Sequence, residues 1–200
     1  MVPVFSWIFL GGKCRNCKEK ISARYPIVES LNAVLWTLSA YFIGLNANAF
    51  IYDALFSALI VMTFIDIDTK EIPNGIVVFI IILSIPLFFT AKDVVWWHRL
   101  VGAVVISVPL YVIALVTGGI GGGDIKLYFA LGLVLGLYPT LVSAFIAIVS
   151  AGLIGGVLLL TKKVRKGYEL PLGPFIALGA VVTVFAGTPI IDGIKNLFGI

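Results

Sequence analysis

Long apolar runs alternate with short stretches of charged residues, Gly and Pro along the whole chain. A helix needs about 20 mostly apolar residues to cross a bilayer, and charges, Gly and Pro mark where such helices end. The charge-free run 127–160 would form about 50 Å of helix, more than a hydrocarbon core of about 30 Å, so we divide it at 136–139, where Pro139 can open a new helix. The seven predicted spans are 27–45, 50–65, 76–91, 100–116, the two halves of 127–160, and 174–186.

The composition agrees with this pattern. Hydrophobic residues make up 60% of the 200 residues and charged residues only 12%, whereas soluble domains average about 25% charged residues. We therefore predict an all-α integral membrane protein, a bundle of about seven transmembrane helices with short loops. A cytoplasmic N-terminal segment that contains the two cysteines (1–26) precedes the bundle (27–187), and a short tail (188–200) follows it.

The lysines and arginines indicate how the bundle is oriented. If the segment 1–26 is cytoplasmic, alternation of the spans leaves only Lys92, Arg99 and Lys195 of the 14 basic residues on the outer side. This asymmetry follows the positive-inside rule. Contact between the cytoplasmic loops and anionic membrane lipid accounts for the net charge of +4, so we expect no nucleic-acid partner.

Two carboxylates are candidates for chemistry, because charged groups beside membrane spans are costly and usually functional. Asp66 ends the second predicted span, and Asp124 directly follows three glycines, 121–123. The predicted orientation places both at cytoplasmic helix ends. Asp68 would point to nearly the opposite helix face from Asp66, so both cannot face one partner, and Asp66 is the better candidate because it lies deeper. The structural alternatives are a polar turn at Asp66 and, at Asp124, a flexible loop whose carboxylate favours the helix dipole.

The residues around the two aspartates add further expectations. Five of the six residues 118–123 are glycines, which tolerate positive φ and let another backbone approach closely. Lys126 has two interpretations that the sequence does not separate: its amine extends to the lipid interface, or it is a counter-charge for Asp124. Asn74, which follows Pro73, is expected to cap the third helix.

Asp66 and Asp124 together point to a reaction. Two adjacent carboxylates share a proton, because like charges prevent both from ionising. One can then act as a base for water and the other as an acid for the carbonyl or the leaving amine, as a peptide hydrolase without a metal requires. The glycine segment would admit an extended peptide. We therefore predict aspartic proteolysis within or beside the membrane, with no cofactor for the proteolytic step.

Two other classes of function remain open at this point. A small transporter could use Asp66 and Asp124 to bind a cation or carry protons, and glycine-broken helices suit that function. Transporter sites, however, tend to lie near the bilayer midplane, whereas both aspartates are predicted at the cytoplasmic edge. A scaffold for pilus or secretion machinery would need neither carboxylate.

Three motifs give the chain a resemblance to a known family. Residues 121–124 match the GxGD signature of intramembrane aspartic proteases, and residues 66–74 resemble the first-aspartate motif of the type IV prepilin peptidases. Cys14 and Cys17, followed by residues 21–29, resemble the cytoplasmic cysteine loop of the bacterial branch of that family. The resemblance covers nearly the whole chain, in order and at fitting spacing.

The resemblance implies a peptidase of the bacterial inner membrane whose catalytic pair is Asp66 and Asp124. Such enzymes remove the short basic leader of prepilins and pseudopilins, cutting after a Gly and before an apolar residue, usually Phe. The leader stays in the cytoplasm while the apolar part of the substrate enters the bilayer. Many bacterial members also methylate the new N-terminus with S-adenosylmethionine.

The cysteines differ from the pattern of this family. Bacterial relatives carry two CxxC pairs, which together could bind a tetrahedral zinc. Residues 1–7 look like the sequence between those pairs, so we expect either a truncated product or a naturally short member. Cys14 and Cys17 would then supply half of a zinc site, and on a reducing cytoplasmic face we expect no disulfide between them. Zinc binding and methylation both remain open.

Two further residues are set aside. Asp53 follows Tyr52 as in the presenilin-like GxGD proteases, but it precedes Asp66 by about 20 Å of helix and falls at the opposite membrane face. His98, the sole histidine, lies beside two tryptophans in an outer loop, where an aromatic belt explains the segment better than catalysis does.

Overall fold

A computed structural model describes residues 3–91, 94–162 and 170–198. Its described residues form helices and loops, with one isolated β-bridge between Lys13 and Lys20, so the all-α prediction is confirmed. The helices are α1 (Pro3–Phe9), α2 (Arg24–Phe42), α3 (Ala47–Thr69), α4 (Asn74–Thr90), α5 (Trp96–Thr117), α6 (Gly122–Leu135), α7 (Leu137–Leu160) and α8 (Gly173–Phe198).

Helices α2 to α8 correspond one to one to the seven predicted spans. Four of them are long and apolar enough to cross a membrane by length and composition: α3, α5, α7 and the Gly173–Gly193 part of α8. Helix α4 is apolar but shorter, with 17 residues, and α6 has only 14 residues, about 21 Å of helix. These helices agree with an integral membrane protein, although α6 by itself is too short for a hydrocarbon core of about 30 Å.

The division of the long apolar run falls where we predicted it. Helix α6 ends at Leu135 and α7 begins at Leu137, and Gly136 between them has φ 84° and ψ 178°, a conformation that only glycine adopts readily. Helix α8, by contrast, continues to Phe198, past position 188 where we expected a separate tail. Pro189 lies inside this helix and does not end it.

Helices α5 and α6 touch through their backbones. A Cβ atom on Gly132 would lie 2.2 Å from the carbonyl oxygen of Gly102, and one on Gly102 would lie 2.7 Å from the carbonyl carbon of Gly136. Near this contact the fully buried Arg99 donates hydrogen bonds from Nη1 to the carbonyls of Leu133 and Val134, at the C-terminal end of α6 where carbonyls lack helical partners. Helix α6 is thus fixed at the end opposite Asp124.

The substitution Gly132→Ala is expected to destabilise the protein by about 1–3 kcal/mol or more, because an added methyl group in this contact forces the two backbones apart. Thermal unfolding in detergent measures the effect. The matched control is Gly156→Ala in α7, where an added Cβ meets no atom within 4 Å and helix propensity favours alanine. Equal melting temperatures for Gly132→Ala and the unmodified protein would contradict this account of the α5–α6 contact.

Candidate active site

The structure brings Asp66 and Asp124 to one cavity of about 280 Å³, between the end of α3 and the start of α6. Its other walls are the turn from Lys70 to Asn74, the glycines 121–123 and Lys126. A second cavity of about 530 Å³ is lined by the same two aspartates, by residues 118–121 and by residues 170–172. The two cavities share Asp66, Lys70, Gly121 and Asp124, so both carboxylates lie in the wall that the cavities have in common.

Asp66 lies in the last turn of α3 and is held by a residue that the sequence analysis missed. Asp66 is 4% exposed, and its Oδ2 accepts a hydrogen bond of 2.8 Å from the backbone N–H of Gly173, the first residue of α8. The first N–H groups of a helix lack helical acceptors and carry partial positive charge, so they favour an ionised carboxylate. A Cβ on Gly173 would lie 2.7 Å from Oδ2 and 2.8 Å from Sδ of Met62.

Only a weak signal in the sequence could have drawn attention to Gly173. The residue lies in a Pro-Leu-Gly-Pro stretch, and a proline early in a helix often follows a defined turn. The requirement for glycine comes from its closeness to Asp66, which is 107 positions away in sequence.

Asp124 lies in the first turn of α6, before the apolar stretch that begins at Leu127. The pKa of its carboxyl group is raised to about 6, first by burial and second by the charge of Asp66, against a backbone hydrogen bond with Gly121 that lowers it. The two carboxylates thus influence each other directly. Burial and the neighbouring negative charge both favour the protonated form of Asp124.

The glycines before Asp124 have different tasks. Gly118 ends α5 with φ 64°, and Gly122 has open space where a side chain would be. Gly123 packs against Ile72, because a Cβ there would lie 2.9 Å from Cβ of Ile72. The segment therefore fixes α6 against the turn after α3 and leaves open space at Gly122, beside the cavity.

Two polar contacts connect the helix ends around the cavity. Nζ of Lys126 donates to Oδ1 of Asn74 at 3.1 Å, so Lys126 links α6 to α4. The expectation that Asn74 caps α4 is wrong: Pro73 is the N-cap, and the Asn74 side chain faces Lys126 instead. Asp68 forms a two-bond ion pair with the guanidinium of Arg24, which ties the start of α2 to the end of α3. Asp68 is thus paired with Arg24, whereas Asp66 is bound by Gly173.

Cys14 and Cys17 lie in the loop between α1 and α2, with both thiols free. The pKa of the half-buried Cys14 thiol is lowered, chiefly by backbone hydrogen bonds from Cys17 and Asn16. Such N–H groups favour a thiolate, the form that binds metals. Across the described ranges, however, no group of three or more His, Cys, Asp or Glu residues could hold a metal ion. The two thiols fit half of a zinc site, and we assign zinc no step.

Asp53 and His98 line neither of the two cavities. Asp53 is buried in α3 beside α2, more than three turns from Asp66. His98 packs edge-on against Trp97 and Tyr138. These positions agree with the prediction that neither Asp53 nor His98 belongs to the candidate site.

Removal of the Asp124 charge is expected to stabilise the fold at neutral pH. The folded-state pKa of about 6 exceeds the ordinary value of 3.8, so the folded protein binds the proton more tightly and loses stability as pH rises from about 4 to 6. Above pH 7, the free energy of unfolding of Asp124→Asn should therefore exceed that of the unmodified protein by about 1–3 kcal/mol, which raises its melting temperature. Below pH 4 the two proteins should be equally stable. Thermal unfolding of both proteins at several pH values measures the difference in stability between them. A difference that falls between pH 4 and pH 8, instead of rising in favour of the variant, would contradict the prediction.

Comparison with known proteins agrees with this geometry. Residues 54–156, which include both aspartates, match the type IV leader peptidase family, and residues 1–43 match the bacterial peptidase A24 N-terminal domain. No solved structure matches the chain.

Curated relatives are about one third identical to this chain over the aligned residues. A protein of Bacillus subtilis (strain 168) named prepilin leader peptidase/N-methyltransferase is 34% identical over 194 residues, covering 96% of this chain and 78% of the relative. Proteins of the same name from Burkholderia pseudomallei (strain 1026b) and Stutzerimonas stutzeri are 33% and 32% identical, covering 94% of this chain in both cases and 63% and 68% of the relatives. The chain therefore belongs to the type IV leader peptidase family.

Proposed function

We propose that this protein is a membrane-embedded aspartic endopeptidase that removes the basic leader of type IV prepilins or pseudopilins, cutting after Gly. The observation that carries the proposal is the convergence of Asp66 and Asp124 on one cavity, within the region that matches the peptidase family. Family membership and the names of the relatives support the leader-bearing substrate. With the basic loops in the cytoplasm, the site lies at the inner boundary of the bacterial inner membrane, in contact with lipid.

The environments of the two carboxylates suggest different roles. Asp66 accepts the N–H of Gly173 at the start of α8, a contact that favours its ionised form against the opposing effect of burial, and we assign Asp66 the role of base. Asp124 retains a proton up to about pH 6, so Asp124 is the acid. Because the two groups interact, this proton belongs to the pair as a whole until substrate binds.

The reaction then needs one water and no cofactor. Asp66 takes a proton from water as the water oxygen bonds to the scissile carbonyl carbon, and Asp124 gives its proton to the carbonyl oxygen. The resulting tetrahedral carbon returns a proton to Asp124 as the carbonyl re-forms. The proton on Asp66 passes to the nitrogen while the C–N bond breaks. The pair regains its starting protonation, and the products are a carboxyl end and a free amine.

The test is cleavage of a purified prepilin by the protein in detergent or in lipid vesicles, with mass spectrometry of both products. We expect the leader to be released after its terminal Gly. Intact substrate after prolonged incubation of the folded protein would contradict the proposal and favour a transporter or a scaffold. Addition of S-adenosylmethionine to the same reaction tests methylation, which would add the mass of one methyl group to the new N-terminus.

A further inference from the structure

The last turn of α3, which carries Asp66, is bound by α2 on the face opposite Asp66. The guanidinium of Arg24, the first residue of α2, binds the Asp68 carboxylate through both of its ends: Nη1 donates to Oδ2, and Nη2 donates to Oδ1 at 2.7 Å. The same guanidinium lies over the ring of Phe64, 5.9 Å from its centroid. Because Phe64 and Asp68 are four residues apart, they lie on one face of α3, and Arg24 covers a full turn of that helix.

The end of α3 is a place where such a contact has a large effect on position. Helix ends fray, because their last carbonyl groups have no partners within the helix. Helix α3 ends at Lys70, whose left-handed conformation with φ 56° is unfavourable for any residue that has a side chain. The N–H of Lys70 donates to the carbonyl of Asp66 at 2.8 Å, so the backbone of Asp66 belongs to this closing turn. The Asp66 carboxylate keeps its place only while the turn is formed.

Two other helices hold this turn from different sides. Gly173, at the start of α8, donates its N–H to the Asp66 side chain. Arg24, at the start of α2, binds the other face of the turn through Asp68. Release of the second contact would leave the last turn of α3 attached on one side.

The segment before Arg24 is itself fixed to the N-terminal part of the chain. The N–H of Ile21 donates to the carbonyl of Gly12 at 2.8 Å, and Nε1 of Trp7 donates to the carbonyl of Ile21 at 3.0 Å. The cysteine-containing segment 1–26 is therefore connected to the end of α3 through Arg24.

We propose that Arg24 is a positioning residue for the catalytic pair: by binding Asp68 it holds the last turn of α3, and so keeps Asp66 aligned with Asp124. The inference rests on the proposed function. Both side chains of the ion pair are about half exposed, and most exposed ion pairs contribute little to stability, but a two-bond arginine–carboxylate pair is the geometry that does contribute. Fraying of one turn does not require global unfolding, so we expect an effect on the rate and little effect on the melting temperature.

The experiment measures kcat and KM for prepilin cleavage in variants of the ion pair. Arg24→Gln should lower kcat by about 10-fold at unchanged KM, less than the roughly 10²-fold that a 1 Å displacement of a reacting group can cost, because the turn is loosened and not removed. Asp68→Asn should lose about as much. The double variant should lose no more than the slower single variant, since both substitutions remove the same ion pair. Arg24→Lys keeps the charge but not the two-bond geometry, and its kcat should lie between those of Arg24→Gln and the unmodified protein.

Arg15→Gln is the matched control. Arg15 is an exposed arginine of the same segment that lines neither cavity at the aspartates, so this variant should cleave at the unmodified rate. Thermal unfolding shows which variants are folded, and if Arg24→Gln is not, Asp68→Asn and Arg24→Lys apply the same test.

Three results would overturn the positioning role and leave the peptidase intact. These are an unchanged kcat in the ion-pair variants, losses that multiply in the double variant, and a raised KM with unchanged kcat, which would indicate a direct contact with substrate. Failure of the unmodified protein to cut any prepilin would overturn both proposals.

Discussion

Asp66→Asn and Asp124→Asn are each expected to lower kcat/KM for prepilin cleavage by at least about 10³-fold, since general acid–base groups contribute about 10²–10⁴-fold each. Asn keeps the size of the aspartate and one carbonyl oxygen. It can neither take a proton from water in place of Asp66 nor give one to the carbonyl in place of Asp124. The double variant should be no worse than either single one, because the two groups act on the same proton transfers. Product formation followed by mass spectrometry measures the loss.

Asp53→Asn is the control for this experiment. Asp53 lies in the same helix as Asp66 and is equally buried, at 5% exposed, but it lines neither of the two cavities that both aspartates share. This variant should cleave at the unmodified rate. Thermal unfolding of all variants separates loss of chemistry from loss of fold, and Asp124→Asn should be inactive yet more stable at neutral pH. Full cleavage by either Asp66→Asn or Asp124→Asn would disprove the assignment of the catalytic pair.

Gly173→Ala is expected to lower kcat by about 100-fold while the protein still folds. The added methyl group would lie 2.7 Å from Oδ2 of Asp66, so either the carboxylate or the start of α8 must shift. A displacement of about 1 Å in a catalytic group can cost about 10²-fold in rate, because the reacting atoms no longer align. The hydrogen bond from the Gly173 N–H should lengthen or break with the same shift, which removes a contact that favours ionised Asp66. Single-turnover rates with saturating prepilin measure the effect on the chemical step.

Gly152→Ala provides the matched comparison. Gly152 lies in α7, and a Cβ at this position meets no atom within 4 Å, so the same substitution should leave the rate unchanged. Because Gly173 acts through the position of Asp66, its variant should also shift the pH dependence of kcat, an effect that simple loss of stability would not produce. An unmodified rate and pH profile in Gly173→Ala would show that α8 does not position Asp66.

The candidate site shows both the reach and the limits of the sequence. Asp66 and Asp124 could be identified because a carboxylate in a chain with 12% charged residues carries a cost that function must offset. The choice of Asp66 over Asp68 followed from helical geometry and from the deeper position of Asp66, and the ion pair of Asp68 with Arg24 agrees with it. The prediction that Asn74 caps α4 was wrong. It relied on the preference of asparagine for the N-cap position, whereas in the structure the Asn74 side chain binds Lys126, which is 52 positions away.

The sequence by itself determined the helical segments, the break at Gly136 and the two candidate carboxylates. These depend on local properties: hydropathy over a bilayer length, backbone freedom at glycine, and the cost of charge near lipid. Only the tertiary structure decided that Gly173 binds Asp66 and that α5 and α6 meet at Gly102 and Gly132. These features arise where helices distant in sequence pack together, and their packing depends on the fit of whole surfaces, which a linear pattern does not contain.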